Sequence, residues 1–391
     1  MLQQLPLTKR GILFILSFIA NIKKLQKSDC SSKFLLINRN VNLKISTPGR
    51  ICLLGEHQDY LGLPVIAMAI SLYANISGQK RSDKKVIINK PDFGEIETFS
   101  LEDLNYSTSR DYYKSGIKIC KENGLLFSAG FECSIQSDIP IQAGTSSSSA
   151  IMVSWIHFLM KIADYQPQWD KVKIASLAYK AEVLEFSEPG GMMDQYSTAL
   201  GGIIYLESQP QVLVESINTN IGSFVLGDSQ EPKDTIGILN RCKKQRTAII
   251  KKCKEGMPDF DLLKTDYISN KLNLDDKKLL SATFRNRDIL NEGLNLFESI
   301  KFDHEKFGKL LNEHHEILRD TLKISTPKIE KMISASLEGG ALGAKINGSG
   351  GGGCMFAYAP NNVEAVAEAI ERVGGKAYIL NMSEGTLCLE N

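Results

Sequence analysis

Hydrophobic and polar positions along the first half of the chain separate into strand-like and helix-like segments. Short apolar or alternating runs bounded by turn residues predict strands at 43–45, 65–77, 86–89 and 131–136. Apolar residues at three- and four-residue spacing predict helices at 149–163 and 171–186, each with one broad buried face. The first half therefore has an α+β pattern.

The second half has the same mixed character. Three short runs predict strands at 203–206, 224–226 and 236–239. Charged segments with helical spacing follow from 243 to 322, and a further helix is predicted at 363–373. Four runs around that helix predict strands at 345–346, 354–359, 377–380 and 386–389. The whole pattern predicts an α+β fold with two domains, at residues 41–215 and 216–391.

Composition and charge narrow the classes of function. The 391 residues are sufficient for two domains with a sizeable core. Lys and Arg number 46 and Asp and Glu 45, and no basic stripe interleaves with aromatic residues, so we expect no nucleic-acid partner. The eight cysteines form neither a CxxC pair nor a compact framework, which argues against a zinc site and against disulfides. These observations predict a reducing, cytoplasmic location.

Residues 1–40 differ in pattern from the rest of the chain. Their one apolar run, at 11–20, is far shorter than the ~20 residues that a membrane-spanning helix needs. No convincing small-x-small cleavage site follows this run, so a secretory signal is not predicted either. We interpret the segment as an extension outside the fold and expect no membrane partner.

A segment of small residues between a predicted strand and an apolar helix is the strongest chemical signal. Its sequence, IPIQAGTSSSSA at 139–150, lets backbone N–H groups approach an anion, to which the helix N-terminus presents positive partial charge. It lacks the GKS/T ending of a Walker A loop and the GxGxxG of a Rossmann fingerprint. A serine-rich N-cap explains the isolated segment equally well. The predicted phosphate-binding residues are Ala143, Gly144, Thr145, Ser146, Ser147, Ser148 and Ser149.

A second segment, PGRICLLGEHQDY at 48–60, carries charged side chains into a glycine-bounded turn. It contains Arg50, Glu56, His57 and Asp59. Carboxylates accept hydrogen bonds and imidazole can donate or accept one, so this set can hold several sugar hydroxyls. A single His or Asp in a turn is more often a cap or a solvated group, but four such groups within one short segment are a stronger signal.

A third segment, EVLEFSEPGGMMDQ at 182–195, is a predicted helix end that runs into a Gly-Gly turn and one acidic residue. A carboxylate at Asp194 could take a hydroxyl proton or orient the nucleophile, and Glu182 could reach a metal ion. For the isolated segment, a helix with a glycine C-cap is the better interpretation.

A fourth segment, AKINGSGGGGC at 344–354, places five glycines in six positions between strand-like residues. Glycine at this density indicates backbone packed closely against backbone or ligand, although a tight connection between strands is an alternative. The candidate glycines are Gly348, Gly350, Gly351 and Gly352.

Together and in this order, the four segments resemble the superfamily of galactokinase, homoserine kinase, mevalonate kinase and phosphomevalonate kinase (GHMP). PGRICLLGEHQDY resembles the galactokinase signature PGRxNLIGEHTDY, IPIQAGTSSSSA resembles the family loop P-x-x-x-GLSSSA, and GGMMDQ resembles GIMDQ. The resemblance implies an N-terminal domain like ribosomal protein S5 domain 2 and a C-terminal ferredoxin-like domain. It also implies ATP with Mg²⁺ and a small sugar acceptor, and we expect a monomer or homodimer.

The resemblance also implies a role for individual residues. Asp194 matches the catalytic carboxylate, and Arg50 matches the cation beside it that steadies charge on the transferring phosphoryl group. Ser148 and Glu182 match the positions of Mg²⁺ ligands. The acceptor-binding positions of galactokinase are matched by Arg50, Glu56, His57, Asp59, Gly191 and Asp194.

Several departures bear on the acceptor. Gln58 replaces the usual Thr, the final loop is closer to the mevalonate kinase version than to MTGxGFGG, and the stretch 233–241 lacks the sugar-contacting Tyr of galactokinases. The sequence is interpreted as a sugar kinase with galactokinase-type phosphorylation at the anomeric C1 hydroxyl. Kinases for another hexose, an amino sugar, a uronic acid or mevalonate are the alternatives. A non-catalytic sugar sensor is less favoured because Asp194, Ser148 and the phosphate loop are present.

Overall fold

The computed structural model describes residues 42–389, apart from residues 142 and 166. The predicted extension at 1–40 lies outside the described residues. The described residues form one compact unit. Two sheets and their covering helices give it the predicted α+β character.

The first sheet has eight strands, and its long central strand pairs along both sides. The strands are β1 (Leu43–Leu54), β2 (Val65–Lys80), β3 (Lys85–Lys90), β4 (Glu95–Ser100), β5 (Phe131–Ser137), β6 (Ile203–Glu207), β7 (Leu213–Ile217) and β12 (Leu387–Leu389). Their order is β12-β1-β2-β5-β3-β4, while β6 pairs with the start of β2 and β7 pairs with β6. Only the β3–β5 pair is parallel among the described strands of this sheet.

Four helices pack with the first sheet around a shared apolar core. They are α1 (Tyr112–Glu122), α2 (Ser147–Ile162), α3 (Lys171–Tyr179) and α4 (Met193–Leu200). The side chains of Asp111 and Asp170 cap α1 and α3 by accepting backbone N–H bonds, which fixes where these helices begin. Helix α2 is buried along most of its length, with Trp155 and Phe158 fully enclosed. This burial holds its N-terminus in place beneath the candidate site.

The second sheet has four antiparallel strands in the order β11-β8-β10-β9. They are β8 (Phe224–Asp228), β9 (Gly343–Ile346), β10 (Cys354–Tyr358) and β11 (Lys376–Leu380). The associated helices are α5 (Thr235–Gly256), α6 (Leu274–Phe297), α7 (His304–Glu316), α8 (Pro327–Glu338) and α9 (Val363–Arg372). Helices α8 and α9 cover one face of the sheet, and the opposite face joins an apolar core shared with β1 and β2. This is the ferredoxin-like arrangement that the resemblance implied.

The strand predicted at 236–239 is wrong, because these residues lie in the first turns of α5. Asp234 caps this helix by accepting from the Gly237 N–H, and the helical hydrogen bonds run on to Gly256. The predicted boundary between the two domains, at residue 215, falls within β7 of the first sheet. The position of this domain boundary stays a prediction. In the described part of the chain, no helix has the length and apolar character needed to cross a membrane.

Candidate active site

The phosphate loop lies directly before α2 and turns sharply at two residues. Gly144 and Ser146 have φ values of 85° and 62°, in the left-handed region. Ser146 occupies the N-cap of α2 but makes no side-chain cap bond, so the first N–H groups of the helix stay available to a ligand. The hydroxyls of Thr145 and Ser146 are buried without a hydrogen-bond partner among the described residues. Such a cluster of donors suits an anion.

Three distant segments hold this loop in position. Its Gly144 carbonyl accepts from the Arg50 guanidinium on β1 and, at 2.8 Å, from Asn347 Nδ2. The Asn347 Oδ1 accepts from the Cys52 N–H at 2.9 Å, so this buried amide joins β1 to the loop. The Cys354 N–H donates to the Ala143 carbonyl at 2.8 Å. Asn347 was not among the predicted site residues.

The glycine loop packs backbone to backbone against the phosphate loop. A Cβ on Gly348 would lie 2.7 Å from the Gly144 carbonyl oxygen, and one on Gly353 would lie 2.7 Å from that of Ala143. Both residues have positive φ, so any side chain would meet a clash as well as backbone strain. The other glycines with positive φ in this loop are Gly350, Gly351 and Gly352.

Arg50 and Asp194 form an ion pair beside the phosphate loop. Arg50 Nε and Nη2 donate to the same oxygen, Asp194 Oδ1, at 2.9 and 2.6 Å. The Arg50 side chain is 4% exposed and that of Asp194 is 33% exposed, so the carboxylate lines the cleft. Burial opposes the charge on Arg50, but the nearby Asp194 and Glu56 carboxylates raise its pKa overall. The two predicted catalytic residues are therefore brought together.

Ser148 and Glu182 also meet, as their assignment to a metal requires. Ser148 Oγ donates to Glu182 Oε1 at 2.7 Å, and Gln195 Nε2 donates to Oε2 at 2.7 Å. Glu182 lies in a π-helical turn, Lys180–Leu184, that continues α3. Burial raises its pKa to about 7, against the hydrogen bonds from Ser148 and Gln195, which lower it. The hydrogen bonds to this carboxylate come from the neutral side chains of Ser148 and Gln195, so an oxygen-preferring divalent cation fits the site.

Asp59 lies against the Gly-Gly turn before Asp194. A Cβ on Gly191 would lie 2.0 Å from Asp59 Oδ2, so only glycine at this position admits the carboxylate. Burial and the nearby Asp194 charge raise the pKa of Asp59 to about 6. Asp59 and Asp194 thus place two acidic groups near each other in the cleft.

Glu56 is bound to the glycine loop and to a residue that sequence reasoning missed. Its Oε2 accepts from Lys345 Nζ at 3.1 Å and from the Gly348 N–H at 2.8 Å. Lys345 also donates to the Cys52 carbonyl, and its side chain is fully buried. This pairing joins residues almost three hundred positions apart, which no local pattern could have indicated. Direct contact of Glu56 with an acceptor stays a prediction.

His57 belongs to a second chain of hydrogen bonds. It is neutral, because burial and the nearby Arg246 charge lower its pKa to about 3. Its Nε2 donates to the Ser349 carbonyl at 3.0 Å, and its Nδ1 accepts from the Tyr60 hydroxyl at 2.9 Å. Arg246 on α5 donates in turn to that hydroxyl. Since both ring nitrogens are engaged, acceptor binding by His57 also stays a prediction.

A single cleft of about 810 Å³ contains these groups. Its lining includes Arg50, Glu56, His57, Asp59, the phosphate loop, Glu182, Gly191, Asp194 and Gly348. It also includes Lys233, which sequence reasoning did not select. Within the described residues, no group of three or more His, Cys, Asp or Glu side chains forms a metal site by itself.

Family models match three parts of the chain. The GHMP kinases N terminal domain matches residues 111–202, and the GHMP kinases C terminal domain matches residues 296–376. The galactokinase galactose-binding signature matches residues 38–80, which include the turn with Glu56, His57 and Asp59.

Characterised relatives are similar over most of their length. Mevalonate kinase of Pyrococcus furiosus is 30% identical over 88% of this chain and 97% of that protein. Galactokinase of the same organism is 28% identical over 84% of this chain and 93% of that protein.

Solved structures share the fold. Lactococcus lactis galactokinase complexed with galactose superimposes with a TM-score of 0.79 at 22% identity, over 96% of this chain and 100% of that one. Methanococcus jannaschii mevalonate kinase gives a TM-score of 0.69 at 21% identity, over 88% of this chain and 100% of that one. With the matched family models and the 30% identical relative, these findings establish that the chain belongs to the GHMP kinase family of ATP-dependent kinases.

Proposed function

We propose that the chain transfers the γ-phosphoryl group of ATP to a sugar hydroxyl, with galactokinase-type phosphorylation at the anomeric C1 position. The observation that carries the proposal is the Arg50–Asp194 pair, which contacts the phosphate loop through Arg50 and shares one cleft with Asp59. A phosphoryl donor held by the phosphate loop and a hydroxyl acceptor bound near Asp59 would therefore meet at the Arg50–Asp194 pair. We also propose a cytoplasmic location, where ATP is supplied, and a monomer or homodimer.

The residues divide the work between positioning and charge stabilisation. The amides of the phosphate loop and the α2 N-terminus hold the phosphates, and Arg50 offsets charge that develops on the transferring group. Both hydrogen bonds from Arg50 to Asp194 go to Oδ1, which orients this carboxylate so that the acceptor hydroxyl can bind to it. Asp194 then receives the hydroxyl proton or aligns the oxygen for attack; we assign it the role of base.

Ser148 and Glu182 are proposed to hold Mg²⁺, in keeping with their oxygen donors and with the burial of Glu182 among neutral partners. When bound, the ion neutralises charge on the nucleotide phosphates. The Ser148–Glu182 hydrogen bond directs both side chains towards each other.

A neutral, hydroxyl-rich acceptor suits the acidic character of the acceptor side. The carboxylates of Asp59 and Asp194 both accept hydrogen bonds from hydroxyls and would repel a carboxylate ligand. The match to the galactose-binding signature and the galactokinase neighbour support the same choice. Mevalonate is the second candidate, because the 30% identical relative is a mevalonate kinase.

A panel assay tests the proposal. The purified protein is incubated with Mg·ATP and, separately, with hexoses, amino sugars, uronic acids and mevalonate. ADP release measures turnover, and NMR of the product locates the phosphate. We expect turnover with a neutral hexose and a phosphate at C1. Turnover with mevalonate alone would establish the second candidate, and ATP binding without any turnover would favour a sugar sensor.

A further inference from the structure

Lys233 places an ammonium group over the phosphate loop. A Cβ on Gly144 would lie 2.8 Å from Lys233 Nζ, so this nitrogen lies close to the loop backbone. Nζ is buried, and among the described residues it has no hydrogen-bond partner. The residue comes immediately before Asp234, the cap of α5, so the helix start fixes its backbone.

An ammonium group in this position needs an anion. Removing it from water without a partner is costly, and burial lowers the pKa of Lys233 to about 8. The other cation at the loop, Arg50, is already paired with Asp194. Among the described residues, no hydrogen bond or ion pair therefore compensates the positive charge of Lys233.

The groups around Lys233 indicate which anion. Thr145 and Ser146 have buried hydroxyls without partners, and the α2 N-terminus presents N–H groups at the same loop. An ammonium group donates three hydrogen bonds and accepts none, so the ligand must bring acceptor oxygens. A phosphate group supplies such oxygens and negative charge together.

We propose that Lys233 binds a phosphate oxygen of the nucleotide held by the phosphate loop and stabilises its charge during transfer. The inference rests on the proposed function, since it takes ATP as the donor. It adds to Arg50 a second cation, supplied by the residue just before the cap of α5, in the other half of the chain. A carboxylate on the acceptor is the competing source of an anion, and the position of Nζ at Gly144 favours the nucleotide.

The test measures nucleotide binding directly. Lys233→Met removes the charge, Lys233→Arg retains it, and Lys244→Met is a matched control on an exposed lysine of α5. Calorimetry with a non-hydrolysable ATP analogue, with tripolyphosphate and with adenosine separates the phosphate contacts from the base contacts. We expect Lys233→Met to lower the affinity for the analogue and for tripolyphosphate about 10- to 100-fold and to leave the affinity for adenosine unchanged. Lys233→Arg should restore part of the loss.

The possible results separate the two proposals. If Lys233→Met binds tripolyphosphate as tightly as the unmodified protein does, and also binds the ATP analogue as tightly, the proposed role of Lys233 is overturned. A defect confined to the KM of an acidic acceptor would also overturn this role, because it would assign the ammonium to that acceptor. If the unmodified protein binds nucleotide but phosphorylates nothing in the panel, the proposed function fails, while the binding comparison still decides the role of Lys233.

Discussion

Charge at individual side chains distinguishes transfer of the phosphoryl group from binding of the acceptor. Arg50, Asp194 and Lys233 lie at the phosphate loop, whereas Asp59 lies against the Gly-Gly turn. Replacing a carboxylate by its amide keeps the size and removes the charge, so such variants test each role separately.

Asp194→Asn should lower kcat by about 10²- to 10⁴-fold, the range for loss of a general base. Binding of the ATP analogue should change little, because the lost interaction acts chiefly in the transition state. Steady-state kinetics and calorimetry measure the two quantities, and a thermal melt checks that Arg50 without its partner still permits folding. Full activity in the Asp194→Asn variant would remove this residue from catalysis.

Asp59 should give acceptor binding a dependence on pH. Its pKa is raised from 3.8 to about 6, so the carboxylate becomes protonated as pH falls through about 6 rather than near 4. The charged form is the better acceptor of sugar hydroxyls, so kcat/KM for the acceptor should fall as pH decreases from about 7 to 5. At saturating Mg·ATP, Asp59→Asn should raise acceptor KM and abolish this step. A step that persists in the variant would assign the titration to another group.

Glu182→Gln should raise the Mg²⁺ concentration needed for half-maximal activity, since a neutral amide is a weaker ligand than a carboxylate. Glu185→Gln is the matched control, because Glu185 is exposed at the end of the same turn. Activity measured across a Mg²⁺ titration at fixed ATP gives the half-maximal Mg²⁺ concentration for each variant. Identical titrations for the two variants would exclude Glu182 as a metal ligand.

At the scale of elements, Glu56 joins the turn after β1 to β9, through Lys345, and to the glycine loop, through the Gly348 N–H. Glu56→Gln should lower the free energy of unfolding by about 3–5 kcal/mol, because it leaves a buried ammonium without its charged partner. Adding Lys345→Met should recover part of that loss. Urea denaturation measures both variants.

An exposed pair provides the comparison. Lys264 and Asp261 lie 3.3 Å apart with the lysine 81% exposed, so Asp261→Asn should cost less than about 1 kcal/mol. If Glu56→Gln lowers the free energy of unfolding as little as Asp261→Asn does and instead raises the KM for the acceptor, Glu56 contacts the acceptor and does not primarily hold the glycine loop.

Local patterns predicted most of the elements and selected most of the site residues that the structure brings together in one cleft, but they did not predict the long-range partners. The run at 236–239 resembles a strand because a short apolar segment with glycine fits both the two-residue period of a strand and the ~3.6-residue period of a helix. The Asp234 cap favours the helix. Strands β4 and β7 were missed because their alternation is weak and no residue of either strand is fully buried. Helix α1 was missed because Lys114, Ser115 and Gly116 lie among the apolar residues of its buried face. Asn347, Lys345 and Lys233 become identifiable as site residues only when folding brings distant segments together.

At the scale of the whole molecule, both sheets and all the assigned site residues lie in the described residues 42–389. Deleting residues 1–38 should therefore leave folding and kinase activity almost unchanged. Thermal melts and ADP release compare the shortened and full-length proteins. Failure of the shortened protein to fold would mean that the deleted segment contributes to the core.

The pairing of β12 with β1 has a consequence for biosynthesis. Of the described strands, β1 is the first to leave the ribosome and β12 is the last, yet Lys44 lies opposite Leu389 and Ser46 opposite Leu387. One edge of β1 therefore stays open while every other described strand is being translated, and an open edge can pair with another chain. The first sheet can be completed only after β12 has been translated, so we expect the open edge of β1 to need protection until then.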